Sequence, residues 1–386
     1  MFDADRFKVI TEMKKLRSGL ICLGVLTLIF AYLGHVMGVS NMLNTIMHTA
    51  HDLLLNTCFF LMAVCVLMGA LSRLLLDFGV VDLIGRLVKP LMKPLFNLPG
   101  EASLGGMMTF CSDNPAIITL AKDRKFAGKF KTYQFISLTN FGTAFGMGLI
   151  VIVFMMGQGF VWQPLVGLVG AFVGAIVSTR LMQLFTLKSY PEYRDRQAIV
   201  QDTGSESEEV KDSGESVFVK VLNALLDGGK SGVEVGMSII PGVLIISTMV
   251  MLLTFGTSAA GTYTGGAYEG TELLPRLAGK VNVVFDWMFG FNDPHLVAFP
   301  ITALGAVGAA LGVVPKFIAE GWVNGNAVAV CTAIGMCWSG YMSTHTAMLD
   351  SLGYRNLTSK AIGAHTIGGL VAGIVAHWIM VLISLF

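Results

Sequence analysis

The most reactive side chains of this chain lie inside apolar runs, where burying them is most costly. Residues 110–117 read FCSDNPAI. Pro115 has no backbone donor and interrupts a helix, which frees carbonyls and exposes the positive N-terminal end of the following half-helix. Ser112, Asp113 and Asn114 add hydroxyl, carboxylate and amide groups at the same break. Such a set suits a cation, a proton or a polar solute, although the same atoms can cap the next helix. A second turn, GFNDPHL, gathers Asn292, Asp293, Pro294 and His295. It is a second site candidate, and Asn-Asp-Pro is equally an ordinary turn and capping signal.

Single polar residues mark other apolar stretches. Lys230 and Glu234 stand i and i+4 on one helical face and are expected to pair, with Glu234 deeper and open to an ion- or proton-coupling role. Asn140 in TNFGTAFG and His365 in GAHTIGG lie among small residues that permit close helix packing. Both suit hydrogen bonds to a solute at the membrane midplane, or interhelical bonds. His345 in YMSTHTAMLD lies beside Ser343, Thr344 and Thr346 and is a further polar contributor. His48, His51 and Asp52 cluster in a short connection, where a metal site is not expected. The chain has no GxxxxGK[ST], HExxH or GxSxG pattern, so neither an ATP-driven pump nor a membrane hydrolase is supported, and with no recognised nucleophile and base at matching spacing an enzyme is not expected. The six cysteines show no CxxC spacing and read as buried small hydrophobes.

The elements that must hold these residues are membrane helices. Of the residues, 54% are hydrophobic and 13% charged, with a mean hydropathy of +0.70, too little polar surface to cover a globule in water. The expected fold class is an all-α polytopic membrane protein of the cell membrane, in contact with the lipid bilayer. Spans are expected at 19–39, 53–71, 133–156, 164–187, 232–255 and 361–385. The stretches 102–121, 296–314 and 323–342, broken by Gly, Pro, Asp or Asn, read as re-entrant or discontinuous helices. No cleaved signal peptide is expected. A formal net charge of +1 gives no reason to expect nucleic acid as a partner.

Arg6, Lys8, Lys14, Lys15 and Arg17 precede the first span, whereas residues 41–52 contain no Lys or Arg, which places the N-terminus in the cytoplasm. Residues 1–52 form the N-terminal segment and first span, 188–216 a flexible hydrophilic linker, and 53–187 and 217–386 two repeats. LLNTCFFLMAVCVLMGALSRLLLDFG resembles SGVEVGMSIIPGVLIISTMVMLLTFG, and VDLIGRLVKPLMKPLFNLPGE resembles LLPRLAGKVNVVFDWMFGFNDPH. A weaker match sets TNFGTAFGMG beside HTIGGLVAGI as parts of the last span of each half. The expected relation is an inverted repeat, the common architecture of secondary transporters. It would put Arg276, Lys280, Lys316, Arg355 and Lys360 outside, against the positive-inside trend.

The repeated unit of span, amphipathic helix and broken hairpin, with Leu98, Pro99, Gly100 and Glu101 in LPGEASLGG, resembles the nucleoside-recognition or Gate domain. That domain occurs in concentrative nucleoside transporters, in the membrane part of ferrous iron transporter B and in spore maturation membrane proteins. The resemblance covers two copies, from about residue 53 to 187 and 217 to 386, and implies a transport-like fold with a central polar site. The chain lacks the Gln, Asn and Glu-rich hairpin motifs of the nucleoside transporters and the GTPase domain of the iron transporter. FCSDNPAI is the one correspondence carried over, as the hairpin break.

The function expected from these features is secondary, ion- or proton-coupled transport of a small polar solute, nucleoside-like as one option. The coupling ion would be sodium or a proton, with no cofactor and no resident metal. Self-association into a homo-oligomer stays open. The alternative is a non-transporting membrane scaffold that uses the same fold for interaction.

Overall fold

A computed structural model describes residues 2–112, 115–198 and 216–386. Asp113, Asn114 and most of the hydrophilic linker lie outside the described residues. The rest is almost entirely helical, with a single isolated bridge between Lys131 and Gln197. The first half runs α1 (Phe2–Met37), α2 (Val39–Asp52), α3 (Phe59–Asp77), α4 (Val80–Leu91), α5 (Ala102–Cys111), α6 (Pro115–Ala121), α7 (Arg124–Ala127), α8 (Thr132–Thr143), α9 (Gly148–Gly157) and α10 (Gln163–Ser189). The second runs α11 (Val217–Gly242), α12 (Thr248–Thr254), α13 (Leu273–Gly279), α14 (Asn282–Phe289), α15 (Ala298–Gly305), α16 (Val307–Ala319), α17 (Gly325–Cys337), α18 (Tyr341–Ser351) and α19 (Thr358–Ile383).

Six helical stretches among the described residues are long and apolar enough to cross a membrane: Lys15–Met37, Val39–Asp77, Thr132–Gly157, Gln163–Ser189, Val217–Thr254 and Arg355–Ile383. They coincide with the six expected spans, and the chain is a multi-pass membrane protein. Two details differ. The 41–52 connection is helical, and α2 joins α3 through a π-turn at Leu53–Cys58. The 133–156 span is not continuous: it breaks between α8 and α9, where Met147 takes a left-handed φ of 56°. Gly142, Gly146 and Gly148 crowd this point, and the hydroxyl of Thr143 donates back to the Thr139 carbonyl at 2.7 Å, a local bond that competes with helix continuation.

The order of elements recurs. Each half has a long span (α3; α11 and α12), short surface helices (α4; α13 and α14), a broken pair (α5 and α6; α15 and α16), a broken span (α8 and α9; α17 and α18) and a final span (α10; α19). TNFGTAFGMG therefore sits at the α8–α9 break, and its positional counterpart is Trp338–Gly340 between α17 and α18. HTIGGLVAGI instead lies within the unbroken α19.

Counterpart spans pack on each other through small residues. Gly69 faces Gly228 and Gly232, Gly232 faces Cys65 and Val66, and Gly236 faces Met62, so α3 and α11 run antiparallel. In the same way Gly170 meets Ala372 and Ala376, Gly174 meets Gly368, and Gly368 meets Ser178, so α10 and α19 are antiparallel. Close backbone approach of this kind is the usual basis of helix association in lipid. Asn356 donates to the Tyr190 hydroxyl at 2.7 Å, and Lys360 bonds Ser189. Arg355 and Lys360 therefore stand at the linker end of α10, not at the opposite end where a re-entrant 323–342 segment would put them.

The opposite end is closed by residues 255–272. Asn41 donates to the Tyr263 carbonyl at 3.2 Å, His48 to the Gly265 carbonyl at 2.8 Å, and the Tyr268 hydroxyl to Asp52. His48 and Asp52 thus hold a loop. Glu269, 4% exposed, accepts from the backbone amides of Thr264 at 2.9 Å and Gly265 at 3.0 Å, and from the Thr264 hydroxyl. Burial alone would raise its pKa, but the hydroxyl and backbone donors together hold it below the ordinary carboxylate value.

Two predictions follow from the packing and the loop. An added Cβ at Gly232 would stand 2.3 Å from the Cys65 carbonyl oxygen, whereas at Gly363 in α19 nothing lies within 4 Å. Gly232→Ala should therefore cost about 1–3 kcal/mol, read as a lower unfolding temperature, and Gly363→Ala should cost nothing. A depressed folded-state pKa means that Glu269 stabilises the loop above its unfolded pKa and loses that contribution as pH falls through the folded value. Hydrogen exchange at the Thr264 and Gly265 amides should accelerate, relative to the rest of the chain, on acidification below about pH 4. The Glu269→Gln variant should show no such pH step.

Candidate functional site

The two broken spans meet each other against the two final spans, and that junction concentrates the buried polar groups. In α8, Asn140 is fully buried. It donates to the Ser178 hydroxyl of α10 at 3.0 Å and to the Ala361 carbonyl of α19 at 2.9 Å, and its carbonyl accepts from Thr139 at 3.2 Å. Ser178 in turn bonds His365 Nδ1 at 2.9 Å. Asn140, Ser178 and His365 thereby tie three spans together, each satisfying a group that would otherwise be stranded in hydrocarbon.

The second break completes the junction. Gly340 adopts a φ of 75°, which ends α17 and restarts the chain as α18. The Trp338 indole donates to the His365 carbonyl at 3.1 Å, and the Ser339 hydroxyl to the Thr143 carbonyl at 3.2 Å, so a residue of one break satisfies a carbonyl of the other. His345, fully buried, donates from Nδ1 to the Tyr341 carbonyl at 2.6 Å, which leaves Nε2 as the acceptor, 3.4 Å from the Thr143 hydroxyl. The rings of His345 and His365 lie 4.4 Å apart, and Tyr341 is stacked on His365 at 6.3 Å. Tyr341 also bonds Thr366.

One atom in this cluster is left over. Among the described residues, His365 Nε2 is buried and has no hydrogen-bond partner, although the Cys337 carbonyl at the end of α17 is close enough to act on the ring. A buried polar atom without a partner costs about 1–3 kcal/mol. An unpaired edge beside a second imidazole, three hydroxyls and a phenol can accept or release a proton, or bind a polar solute.

Both hairpins approach the junction. Phe110 of α5 stands against Gly148, Ile117 of α6 against Gly142, and Phe141 against Gly106, so the first hairpin is keyed onto the α8–α9 break. Its second arm, α6, also packs on α18, the helix of His345. Ser112 closes α5 by donating to the Met108 carbonyl at 2.8 Å. Asp113 and Asn114 lie outside the described residues.

The sequence candidates thus divide. Asn140, His345 and His365 come together. Glu234 is exposed on α11 and away from the cluster, and Lys230 pairs with Asp227 at 3.2 Å, not with Glu234. An i and i+3 partner on the same turn was available to the flexible lysine. Asp293 caps the turn before α15, taking both the backbone and the ring nitrogen of His295 at 2.9 and 2.6 Å, while His295 stacks on Trp322 at 3.9 Å. Asn292 borders a separate cavity at the end of α19.

Ser178, Thr143, Ser339 and Tyr341 were not singled out from sequence. Ser178 begins STR in the middle of an apolar span, a signal that was open to reading. Arg180 and Gln183 of the same span support the first hairpin. Arg180 donates to the Leu95 and Pro94 carbonyls at 2.8 and 2.6 Å, and Gln183 to the Phe96 carbonyl at 3.0 Å. They satisfy carbonyls at the start of LFNLPGE, just before Asn97 takes a left-handed φ of 53°.

Two solved structures of CNTnw, a concentrative nucleoside transporter, are similar over nearly the whole chain. One, in an outward-facing state, has a TM-score of 0.53 at 14% identity and covers 97% of this chain and 86% of that one. The other, in an intermediate state, has a TM-score of 0.52 at 12% identity and covers 96% and 86%. At such identity the likeness is one of fold. An uncharacterized protein of Alkalihalophilus pseudofirmus is 28% identical over 119 residues, and the match spans 26% of that relative's length. Residues 58–159, which run from α3 to the end of α9, match the family model described as nucleoside recognition, so the chain carries a Gate segment on a fold similar to that of a concentrative nucleoside transporter.

Proposed function

We propose that the chain is a secondary transporter that moves a small polar solute across a membrane, coupled to the flow of an ion. The observation that carries this reading is the unpartnered, buried His365 Nε2, held beside His345 where the two helix breaks meet. A scaffold gains nothing from such an atom, whereas a binding site requires groups left unsatisfied until the ligand arrives. The likeness in fold to CNTnw and the Gate segment support the same class.

Two imidazoles and a phenol offer flat apolar faces with nitrogen and oxygen edges, which suits a heteroaromatic solute of the nucleoside kind. Imidazoles at the junction favour a proton as the coupling ion. The carboxylate of Asp113, next to Asn114 in the sequence FCSDNPAI, supports sodium as the alternative. The antiparallel pairing of α3 with α11 and of α10 with α19 supports inverted copies, 53–187 and 217–386, that alternate about a fixed site. With Arg355 and Lys360 at the linker end, the basic residues opposing a cytoplasmic N-terminus reduce to Arg276, Lys280 and Lys316. The scaffold reading retains one support: Asn140 and Ser178 already satisfy one another.

Thermal unfolding of the detergent-purified chain against nucleosides, nucleobases, amino acids and divalent metals, with and without sodium and at two pH values, tests the proposal. One solute class, at 100 times its dissociation constant, should stabilise the protein by about 2.7 kcal/mol. His365→Gln should lose that stabilisation while keeping the ligand-free unfolding temperature to within a few degrees. Glu234→Gln should retain it. If no solute shifts the transition, and proteoliposomes take up none of them under a proton or sodium gradient, the scaffold reading stands instead.

A further inference from the structure

A second polar cavity, of about 440 Å³, lies apart from the junction, at the end of α19 away from the linker. It opens between the surface helix α14, the start of α17 and the last turns of α19. Asn326 fixes its hydrogen-bonding sense. The side-chain amide donates to the Phe289 and Gly290 carbonyls at 2.8 and 3.1 Å, so its oxygen must face His377 Nδ1, 2.9 Å away. Nδ1 therefore carries the proton, and Nε2 is left as an acceptor. His377 is pressed so closely on Gly290 that a Cβ there would stand 2.5 Å from the ring. The imidazole is thus held in place, and none of the hydrogen bonds among the described residues uses its second nitrogen as an acceptor.

The remaining lining has a definite polarity. Asp286 is the one carboxylate, close enough to act on His377, and no Lys or Arg lines the cavity. Asn324 spends its oxygen on capping the Ala327 amide at 2.8 Å, which leaves its NH2 group to donate. Acceptors for a hydrogen-bonding cation thus stand beside a donor for an anionic or ester oxygen. Trp287, 63% exposed, and Trp378, 42% exposed, flank the mouth, and Val283 beside them on α14 is 84% exposed. Exposed tryptophans at the end of a span, with bare aliphatic side chains, mark the headgroup level of a bilayer.

We infer that this cavity binds the headgroup of a zwitterionic membrane lipid that carries a primary ammonium, of the phosphoethanolamine type. The ammonium N–H groups donate to Asp286 and His377 Nε2 and lie against the Trp faces. Phosphate oxygens accept from Asn324. The acyl chains leave along the apolar faces of α14 and α19. A trimethylated choline headgroup has no N–H to give and is discriminated against.

The test is thermal unfolding of the full chain in detergent with added phosphatidylethanolamine, phosphatidylcholine or phosphatidylglycerol. Phosphatidylethanolamine should stabilise the protein most. Asp286→Asn and His377→Ala should each weaken its apparent affinity about tenfold and leave the lipid-free transition in place. If His377→Ala fails to fold, brominated-tail phosphatidylethanolamine should quench tryptophan fluorescence of the unsubstituted chain, and Trp287→Phe should reduce that quenching. Equal stabilisation by phosphatidylcholine, or an unchanged affinity in Asp286→Asn, overturns the proposal. Soluble phosphoethanolamine acting as strongly as the lipid overturns the lipid as the source of the headgroup.

Discussion

Backbone groups at membrane depth have no water to turn to, and every interruption of a helix there must be answered by another part of the protein. This chain interrupts its helices repeatedly, and the rest of the structure supplies the partners. The α8–α9 break has a carbonyl taken by Ser339 of the other broken span. Next to that break, the Asn140 side chain, which would itself be stranded, donates to the Ala361 carbonyl of α19. The end of the α4 region has three successive carbonyls taken by Arg180 and Gln183 of α10. Each such bond contributes only about 1 kcal/mol net, but leaving the carbonyl bare would cost more than that. The breaks, and with them the junction of polar side chains, persist because the breaks satisfy each other.

The same constraint explains why the seams between the paired long spans are built from small residues. Polar side chains such as Asn140 and Ser178 are short, so spans must approach closely for these groups to meet. The glycines of α10 and α19 permit that approach. Packing and hydrogen bonding are therefore one requirement: a larger side chain in the seam would separate the partners of His365 as well as the helices.

Much of this was legible in the residues. The six spans follow from length and apolarity alone, and the 102–121 and 296–314 segments break where Pro, Asp, Asn and Gly stand. The α8–α9 break was not visible, because TNFGTAFGMG is apolar enough to pass for a continuous span. The break depends on a left-handed Met147, with Gly148 beside it packed against Phe110 and against Met336 of the second half. Asn140, His345 and His365 stood out as costly polar residues in apolar runs. Their assembly did not, since it joins positions up to about 220 residues apart. Glu234 stood out for the same reason and proved peripheral, because sequence does not tell which face of a long helix turns toward the protein. Ser178 passed unnoticed because a serine in a membrane helix is commonplace.

The pairing of α10 with α19 also bears on how the molecule is made. α10 is complete by Ser189, but the surface that covers its glycine face belongs to α19, which begins only at Thr358. During synthesis the first half must therefore wait in the bilayer with that face against lipid and with Asn140 short of the carbonyl of Ala361. The seam closes only once α19 has entered the bilayer, and the interval before that is when quality-control proteases and chaperones have this polar surface to recognise.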